Sequence, residues 1–501
     1  MYGKVTLVGA GPGDPGLLTV KGREALLAAQ VVVYDRLVSP AILALMPEEA
    51  EQINVGKEAS RHPVPQDQIN RILLEKALEG KNVVRLKGGD PFLFGRGGEE
   101  LELLKEHGVP FEEVPGITSA IAVPAYGGIP VTHRDFTSSL HIVTGHARAG
   151  KALDIDFEAL VRTKGTLVFL MGVSSLPDIC EGLLKAGMAP DTPAAIVERG
   201  TTPAQRRLDA TVATLAQTAA EGKVESPAIS IVGQVCSLAK DFDWFDALPL
   251  KGKRIVVTRP KERVGTLANR LRKLGADVFE YPCIRTEPIT PCPAMEQAVE
   301  HLADYEWLAF TSPAGVEAFW AMAQARDWDA RVLAGVNLAA IGAGTDKALR
   351  GHGLRADYIP EVYDAAHLGA GLATLAKGKV LLLRAEWGSP ALTEALEGSN
   401  IPYDDIPCYT TSYESEHAAA LRDLVTAGQV DLVTFTSAST VKGFVSSVGE
   451  LDFSGLTGAC IGEQTAAEAA KHGIPTIVAE RATMDALVNI IIKEGQTNGT
   501  H

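Results

Sequence analysis

The second half of this chain repeats itself, and that repeat restricts its fold more than any other feature. GKRIVVTR at 252–259 is answered by GKVLLLR at 378–384, and LAFTS at 308–312 by VTFTS at 433–437. Tyr281-Pro282-Cys283 is answered by Ile406-Pro407-Cys408, and IGAGT at 341–345 by IGEQT at 461–465. The four offsets are 126, 125, 125 and 120 residues, always in the same order. A unit of that length is too long for a solenoid and has the size of a small domain. Two similar lobes with a cleft between them are expected.

Each repeat opens on a short Val/Ile/Leu run bounded by Gly, Pro or Asp and followed by a helical period. The first half reads the same way in KVTLVG, VVVYD and NVVRLKG. Such alternation predicts α/β architecture with mostly parallel sheets. At 501 residues the chain exceeds one core. A polar, aromatic stretch near 238–252 reads as the boundary, with 1–240 and 252–495 as domains and 241–251 as a linker.

Composition excludes several classes. Net charge is −15, and residues 1–250 hold 24 Lys+Arg against 31 Asp+Glu, the remainder 23 against 31. Neither half offers the basic surface a nucleic acid requires, so no nucleic-acid partner is expected. No apolar run could span a bilayer, and the start has no basic segment followed by an apolar one. The expectation is therefore no membrane association and a cytoplasmic location. Six scattered cysteines and eleven histidines form neither a CxxC pair nor HExxH. Free thiols and no metal are expected.

In the first half, GAGPGDPG at 9–16 satisfies GxGxxG through Gly11, Gly13 and Gly16, and Asp35 follows about 20 residues on. Pro12 and Pro15 remove two N–H donors that a pyrophosphate would use, and Asp14 adds a negative charge. The loop is thus either a tight turn or a site for a ligand that is cationic or rich in donors. Further small-residue turns end apolar runs: GGDPFLFGRGGEE at 88–100, VPGITSA at 114–120, GGIPVTHR at 127–134, FLMG at 169–172 and ERGTTPAQ at 198–205. Several such turns let backbone approach one ligand.

Together with VVVYDRLV and NVGKE, these motifs resemble the tetrapyrrole methyltransferases, closest to uroporphyrinogen-III C-methyltransferase, over residues 1–240. The resemblance implies two α/β subdomains with S-adenosylmethionine between them and S-adenosylhomocysteine as its product. Carried over motif by motif, the cofactor residues are Pro12, Gly88, Gly89, Asp90, Leu93, Thr118, Ser119, Met171 and Gly200. Asp90 would bind ligand hydroxyls or the ammonium, and Met171 would pack on an apolar part. Asp35 resembles the family's proton acceptor and Lys57 its proton donor; read locally, they are a strand-end turn residue and a surface lysine. Arg36, Arg96 and Arg134 could bind substrate carboxylates or be surface charge. The resemblance also implies a homodimer through this half.

The second half has no nucleophile elbow or P-loop. Hydroxyls recur at strand ends before helical patterns: Thr311, Ser312, Thr345, Thr436, Ser437 and Thr465. They serve as N-caps, as an anion cradle, or both. RIVVTRP, FTSPAGVEAF, AIGAGT, PCYTTSY and IGEQT resemble uroporphyrinogen-III synthase over 251–495. That implies a two-lobed α/β fold, here 252–284 plus 409–495 and 287–405, hinged on a pair of joining strands near 281–288 and 406–413. It also implies cyclisation of hydroxymethylbilane through an azafulvene cation and a spiro intermediate. Tyr409 is the candidate for assisting hydroxyl loss, or else packs on the hinge.

The combined expectation is a bifunctional enzyme with tetrapyrrole substrates. It cyclises hydroxymethylbilane, then methylates uroporphyrinogen III twice to precorrin-2, for sirohaem or cobalamin synthesis. The alternative is a methylase of a later corrin precursor carrying a non-catalytic two-lobed binding module.

Overall fold

The computed structural model describes residues 2–47, 49–56, 64–146, 153–259, 261–413, 418–449 and 451–497. The chain divides into two compact units, the first ending at Gly252.

The first unit holds two sheets. One is all parallel, in the order β3-β2-β4-β1-β5: β1 Val5–Gly9, β2 Val31–Tyr34, β3 Glu51–Asn54, β4 Val83–Lys87 and β5 Phe111–Val114. Its strands are buried on both faces, Val5, Leu7, Val31 and Val33 in one cluster and Val8, Val32 and Leu86 in another. Burial on two sides is why these strands read as continuous apolar runs. The other sheet has the order β6-β7-β10-β8-β9: β6 Leu140–Thr144, β7 Thr166–Leu170, β8 Pro193–Glu198, β9 Arg206–Thr211 and β10 Ala228–Val232. Only β6 and β7 run parallel.

Residues 241–251 are not a linker; they are built into the first unit. The Trp244 ring meets Tyr126 edge-on at 4.9 Å, Phe245 lies 4.8 Å from Tyr126, and Leu250 is fully buried. Trp244 Nε1 donates to the Ala125 carbonyl at 3.0 Å, and Lys251 Nζ donates to the carbonyls of Pro203 (3.0 Å) and Gln205 (2.7 Å). Phe245 and Leu250 decide this, because both are buried, an area of apolar surface that a free tether would leave in water.

In the second unit, one sheet is parallel in the order β12-β11-β18-β19-β20: β11 Arg254–Val257, β12 Asp277–Glu280, β18 Leu432–Phe435, β19 Thr457–Cys460 and β20 Thr476–Val478. The other runs β13-β17-β16-β14-β15: β13 Ile284–Pro288, β14 Tyr305–Phe310, β15 Asn337–Ala340, β16 Lys379–Ala385 and β17 Tyr403–Tyr413. Only β13 is antiparallel to its neighbour, with Ile284 opposite Tyr413 and Pro288 opposite Tyr409. All of β13 and β17 therefore belongs to the second lobe's sheet; β13 begins at 284, where the first lobe is expected to end, whereas β17 runs on to Tyr413, past the boundary expected at 409.

Matching strands by the sequence repeat pairs β11 with β16, β12 with β17, β14 with β18 and β15 with β19. The two sheets then have the same internal order, β12-β11-β18-β19 and β17-β16-β14-β15. Each lobe takes two strands from each repeat, so the repeats are exchanged.

Candidate functional site

In the first unit the loops after β1, β4 and β5 meet at the carboxyl ends of adjacent strands, the usual ligand position of a parallel sheet. Gly11 and Gly89 exchange backbone hydrogen bonds (3.1 and 2.8 Å), and Ala10 N–H donates to the Lys87 carbonyl at 2.8 Å. A Cβ on Gly9 would lie 2.3 Å from Gly116 N, and one on Gly116 2.2 Å from Gly89 O. Three backbones touch where no side chain fits.

Asp90 organises this junction. Its Oδ1 accepts from Phe92 N (2.9 Å) and Leu93 N (3.0 Å), and its Oδ2 from Gly116 N (3.2 Å). The carboxylate expected to hold a ligand thus brackets the second and third loops, with lone pairs on Oδ2 left over. Thr118 caps the helix Ser119–Tyr126 through Ala120 N at 3.2 Å.

The second sheet supplies the opposite wall. A Cβ on Gly200 would lie 2.3 Å from Val123 Cγ1. Asp14 N–H donates to Thr201 Oγ1 at 3.3 Å, and the Tyr126 hydroxyl donates to Asp14 Oδ2 at 2.7 Å. Burial, then the Asp14 carboxylate, raises the Tyr126 phenol above its usual range. Leu93 packs on the core of the second sheet. Pro12, Gly88, Gly89, Asp90, Leu93, Thr118, Ser119 and Gly200 are therefore brought together. Met171 stands at the end of β7, 51% exposed and at φ +55°, an unusual backbone state for a non-glycine residue.

Asp35 follows β2. Its Oδ1 accepts from Leu37 N at 3.0 Å and its Oδ2 faces Arg85 Nη2 at 3.5 Å. Leu37 Cβ lies 2.6 Å from where a Cβ on Gly88 would sit, so Asp35 borders the second glycine loop. Lys57 lies outside the described residues. Arg36 and Arg134 are exposed, and Arg96 is exposed and paired with Glu99 (Nε to Oε1, 3.0 Å).

Sequence reasoning missed Arg85, Lys87 and Glu100. All three are buried and ion-paired, Glu100 Oε1 lying 3.2 Å from Arg85 Nε and 2.7 Å from Lys87 Nζ. The signal was available: two cations at i and i+2 inside a run otherwise apolar demand a buried anion.

In the second unit Ser312 caps the helix Pro313–Ala325 through Gly315 N (3.1 Å) and donates to the Tyr409 hydroxyl at 2.8 Å. Its repeat counterpart Ser437 caps the helix Ala438–Val448 through Thr440 N (3.3 Å). Thr311 and Thr436 are half-buried beside them. Thr345 and Thr465 sit in the first turns of the helices Ala343–Gly351 and Glu463–Lys471, only 2% and 5% exposed. Tyr409 is 8% exposed, and its carbonyl accepts from Glu386 N at 3.1 Å.

Comparison with known proteins agrees with this division. The family described as Tetrapyrrole (Corrin/Porphyrin) Methylases matches residues 4–216, and Uroporphyrinogen-III synthase HemD matches residues 265–489. The chain is 50% identical over 499 residues to the porphyrin biosynthesis protein HemD of Ruminiclostridium josui, covering 99% of each. It is 43% identical over 332 residues to the uroporphyrinogen-III C-methyltransferase of Bacillus subtilis (strain 168), covering 66% of this chain and 68% of that one. It is 56% identical over 238 residues to the S-adenosyl-L-methionine-dependent uroporphyrinogen III methyltransferase of Methanosarcina barkeri, 47% of this chain and 93% of that one. The chain belongs to the tetrapyrrole methylases and to the uroporphyrinogen-III synthases, one family in each half. Both halves of the resemblance read from the motifs are borne out.

Proposed function

We propose that the second half closes hydroxymethylbilane to uroporphyrinogen III and that the first half methylates this product twice, giving precorrin-2 for sirohaem or cobalamin synthesis. The observation that carries the methylase reading is the junction of three glycine loops with Asp35 on its border. The residues there suit S-adenosylmethionine. Backbone groups without Cβ atoms allow close approach, Ser119 adds a hydroxyl, and prolines stand where a pyrophosphate would need N–H donors. When bound, that cofactor supplies an electrophilic methyl on a sulfonium.

Pro12, Gly88, Gly89, Thr118, Ser119 and Gly200 would hold the cofactor, with Met171 against an apolar part of it. Asp90 fixes the loops that do so. Asp35 takes the proton released once a pyrrole carbon has become cationic, and its carboxylate stabilises that charge beforehand. Lys57 returns a proton to the macrocycle. Arg36, Arg96 and Arg134 receive substrate carboxylates.

In the second unit the hydroxyl-capped helix starts accept the carboxylates of the bilane, with Thr311, Ser312, Thr436 and Ser437 foremost. Thr345 and Thr465 support the same turns. The Tyr409 hydroxyl, held by Ser312, donates to the departing hydroxyl group. Ring closure then depends mainly on how the chain is folded against the protein.

The reading extends to a cytoplasmic homodimer that associates through the first unit. Exposed apolar side chains there (Val20, Leu27, Phe92 and Phe94) support the association. Among the described residues no helix is long and apolar enough to cross a membrane. Mass spectrometry of products from hydroxymethylbilane plus S-adenosylmethionine tests the whole reading. Uroporphyrinogen III carrying two added methyl groups is expected; an unmethylated product, or methylation only of a later corrin precursor, rejects it.

A further inference from the structure

The buried ion cluster beneath Asp35 has no part in the chemistry above. Glu100, on the helix Gly97–Glu106, is 0% exposed, and Arg85 and Lys87 on β4 are nearly so. Three donors converge on Glu100 Oε1: Arg85 Nε at 3.2 Å, Lys87 Nζ at 2.7 Å and Gln66 Nε2 at 3.1 Å. Its other oxygen, Oε2, is buried with no partner among the described residues. Arg85 Nη1 donates to the carbonyls of Val33 (3.4 Å) and Leu86 (3.1 Å), and Nη2 to Asp35 Oδ2 (3.5 Å).

Such a cluster is a poor way to stabilise a sheet. Desolvating these ions costs several kcal/mol each, and apolar side chains of similar volume are often as stable or more so. Burial, then the neighbouring guanidinium, pulls the Lys87 ammonium below its usual range even with Glu100 in contact. What distinguishes the cluster is where it leads. Asp35 is its half-buried end, its side chain 26% exposed, beside the cofactor loop. The Lys87 carbonyl, one residue before Gly88, also anchors the first glycine loop through Ala10 N–H.

We infer that Glu100 is a positioning residue for methyl transfer: by fixing Arg85 and Lys87 it holds the Asp35 carboxylate, and the end of β4, in the reacting arrangement. The inference rests on Asp35 acting as the proton acceptor. Without the Glu100 charge, the bond that fixes Arg85 Nε weakens, and its fork rotates relative to Asp35 Oδ2. The cofactor loops keep their own backbone contacts.

The test is a kinetic cycle on the full chain with Glu100→Gln, Asp35→Asn and the double variant, alongside the affinity for S-adenosylhomocysteine. Glu100→Gln is expected to lower kcat for uroporphyrinogen III about ten-fold, with KM and S-adenosylhomocysteine affinity within about two-fold of the parent. The double variant should be no slower than Asp35→Asn alone, because the two residues act as a unit. Losses that multiply, a normal kcat for Glu100→Gln, or a parallel loss of S-adenosylhomocysteine binding would overturn the inference. Should Glu100→Gln not fold, the triple replacement Arg85→Met, Lys87→Met, Glu100→Met keeps the volume apolar, and the same kcat loss with retained binding is expected. Asp35→Asn alone separates the two ideas. Normal turnover of that variant sinks the base assignment and this inference together, whereas a slow Asp35→Asn beside a normal Glu100→Gln sinks this inference only.

Discussion

The two units build the ends of their strands from different materials. The first brings bare backbone together at Gly9, Gly89 and Gly116 and supports a carboxylate with buried ions. The second presents hydroxyls at helix starts, Ser312 and Ser437 at matching places in exchanged repeats. The difference suits the proposed chemistry. Methyl transfer has to seat a cofactor closely and remove a proton, so it needs close approach and a base. Closing a bilane needs many weak anchors on a flexible substrate and little acid–base help.

The sharpest way to break this contrast is to fill the backbone junction. Gly9→Val would push side-chain atoms into Gly116, so methylation and S-adenosylhomocysteine binding should fall more than about 100-fold, by analogy with misplacement of catalytic geometry. Cyclisation by the same chain should persist. Loss of both activities in parallel would mean that the units do not act separately.

Asp35→Asn comes next. Removing a general base costs about 10²–10⁴-fold, so slow methylation with intact S-adenosylhomocysteine binding and unchanged cyclisation is expected from stopped assays of each step. Tyr409→Phe should do less, roughly ten-fold or under on cyclisation, since one neutral hydrogen bond is worth about 1 kcal/mol. Methylation of supplied uroporphyrinogen III should be untouched. A Tyr409→Phe effect as large as that of Asp35→Asn would erase the distinction between a site built on a base and one built on folding.

The smallest expected effect is on thiol chemistry. All six cysteines are free and buried, and burial pushes the thiols of Cys236, Cys283, Cys408 and Cys460 up to about 12. Alkylating reagent at mildly alkaline pH should leave both activities intact until the chain is unfolded. Rapid labelling of the native protein, read by mass, would contradict that.

Much of this was legible in the sequence. The glycine turns told where backbones can meet one another, because a missing Cβ is written in the residue itself. The repeat told that two similar lobes exist. What stayed hidden was pairing at a distance. Nothing in the sequence ties Asp90 to the third loop, yet Gly116 N–H is found on its Oδ2. The stretch 241–251 looks like a tether until Trp244 and Phe245 are seen against Tyr126. Glu100 looks like one of two surface glutamates at a helix start, and only the fold turns it inward while Glu99 stays exposed with Arg96.

The exchange of strands between repeats has a consequence for how the second unit assembles. Neither repeat can complete a sheet alone, since the Arg254 strand needs a neighbour whose Asp431 lies 177 residues further along. Such pairings close late in folding, because loop entropy is lost before they form. A break in the peptide between the helix ending at Gly351 and β16 would leave two pieces, each holding half of both lobes. Those pieces could regain structure only by finding one another, so mixing them should restore uroporphyrinogen III formation that neither piece has alone.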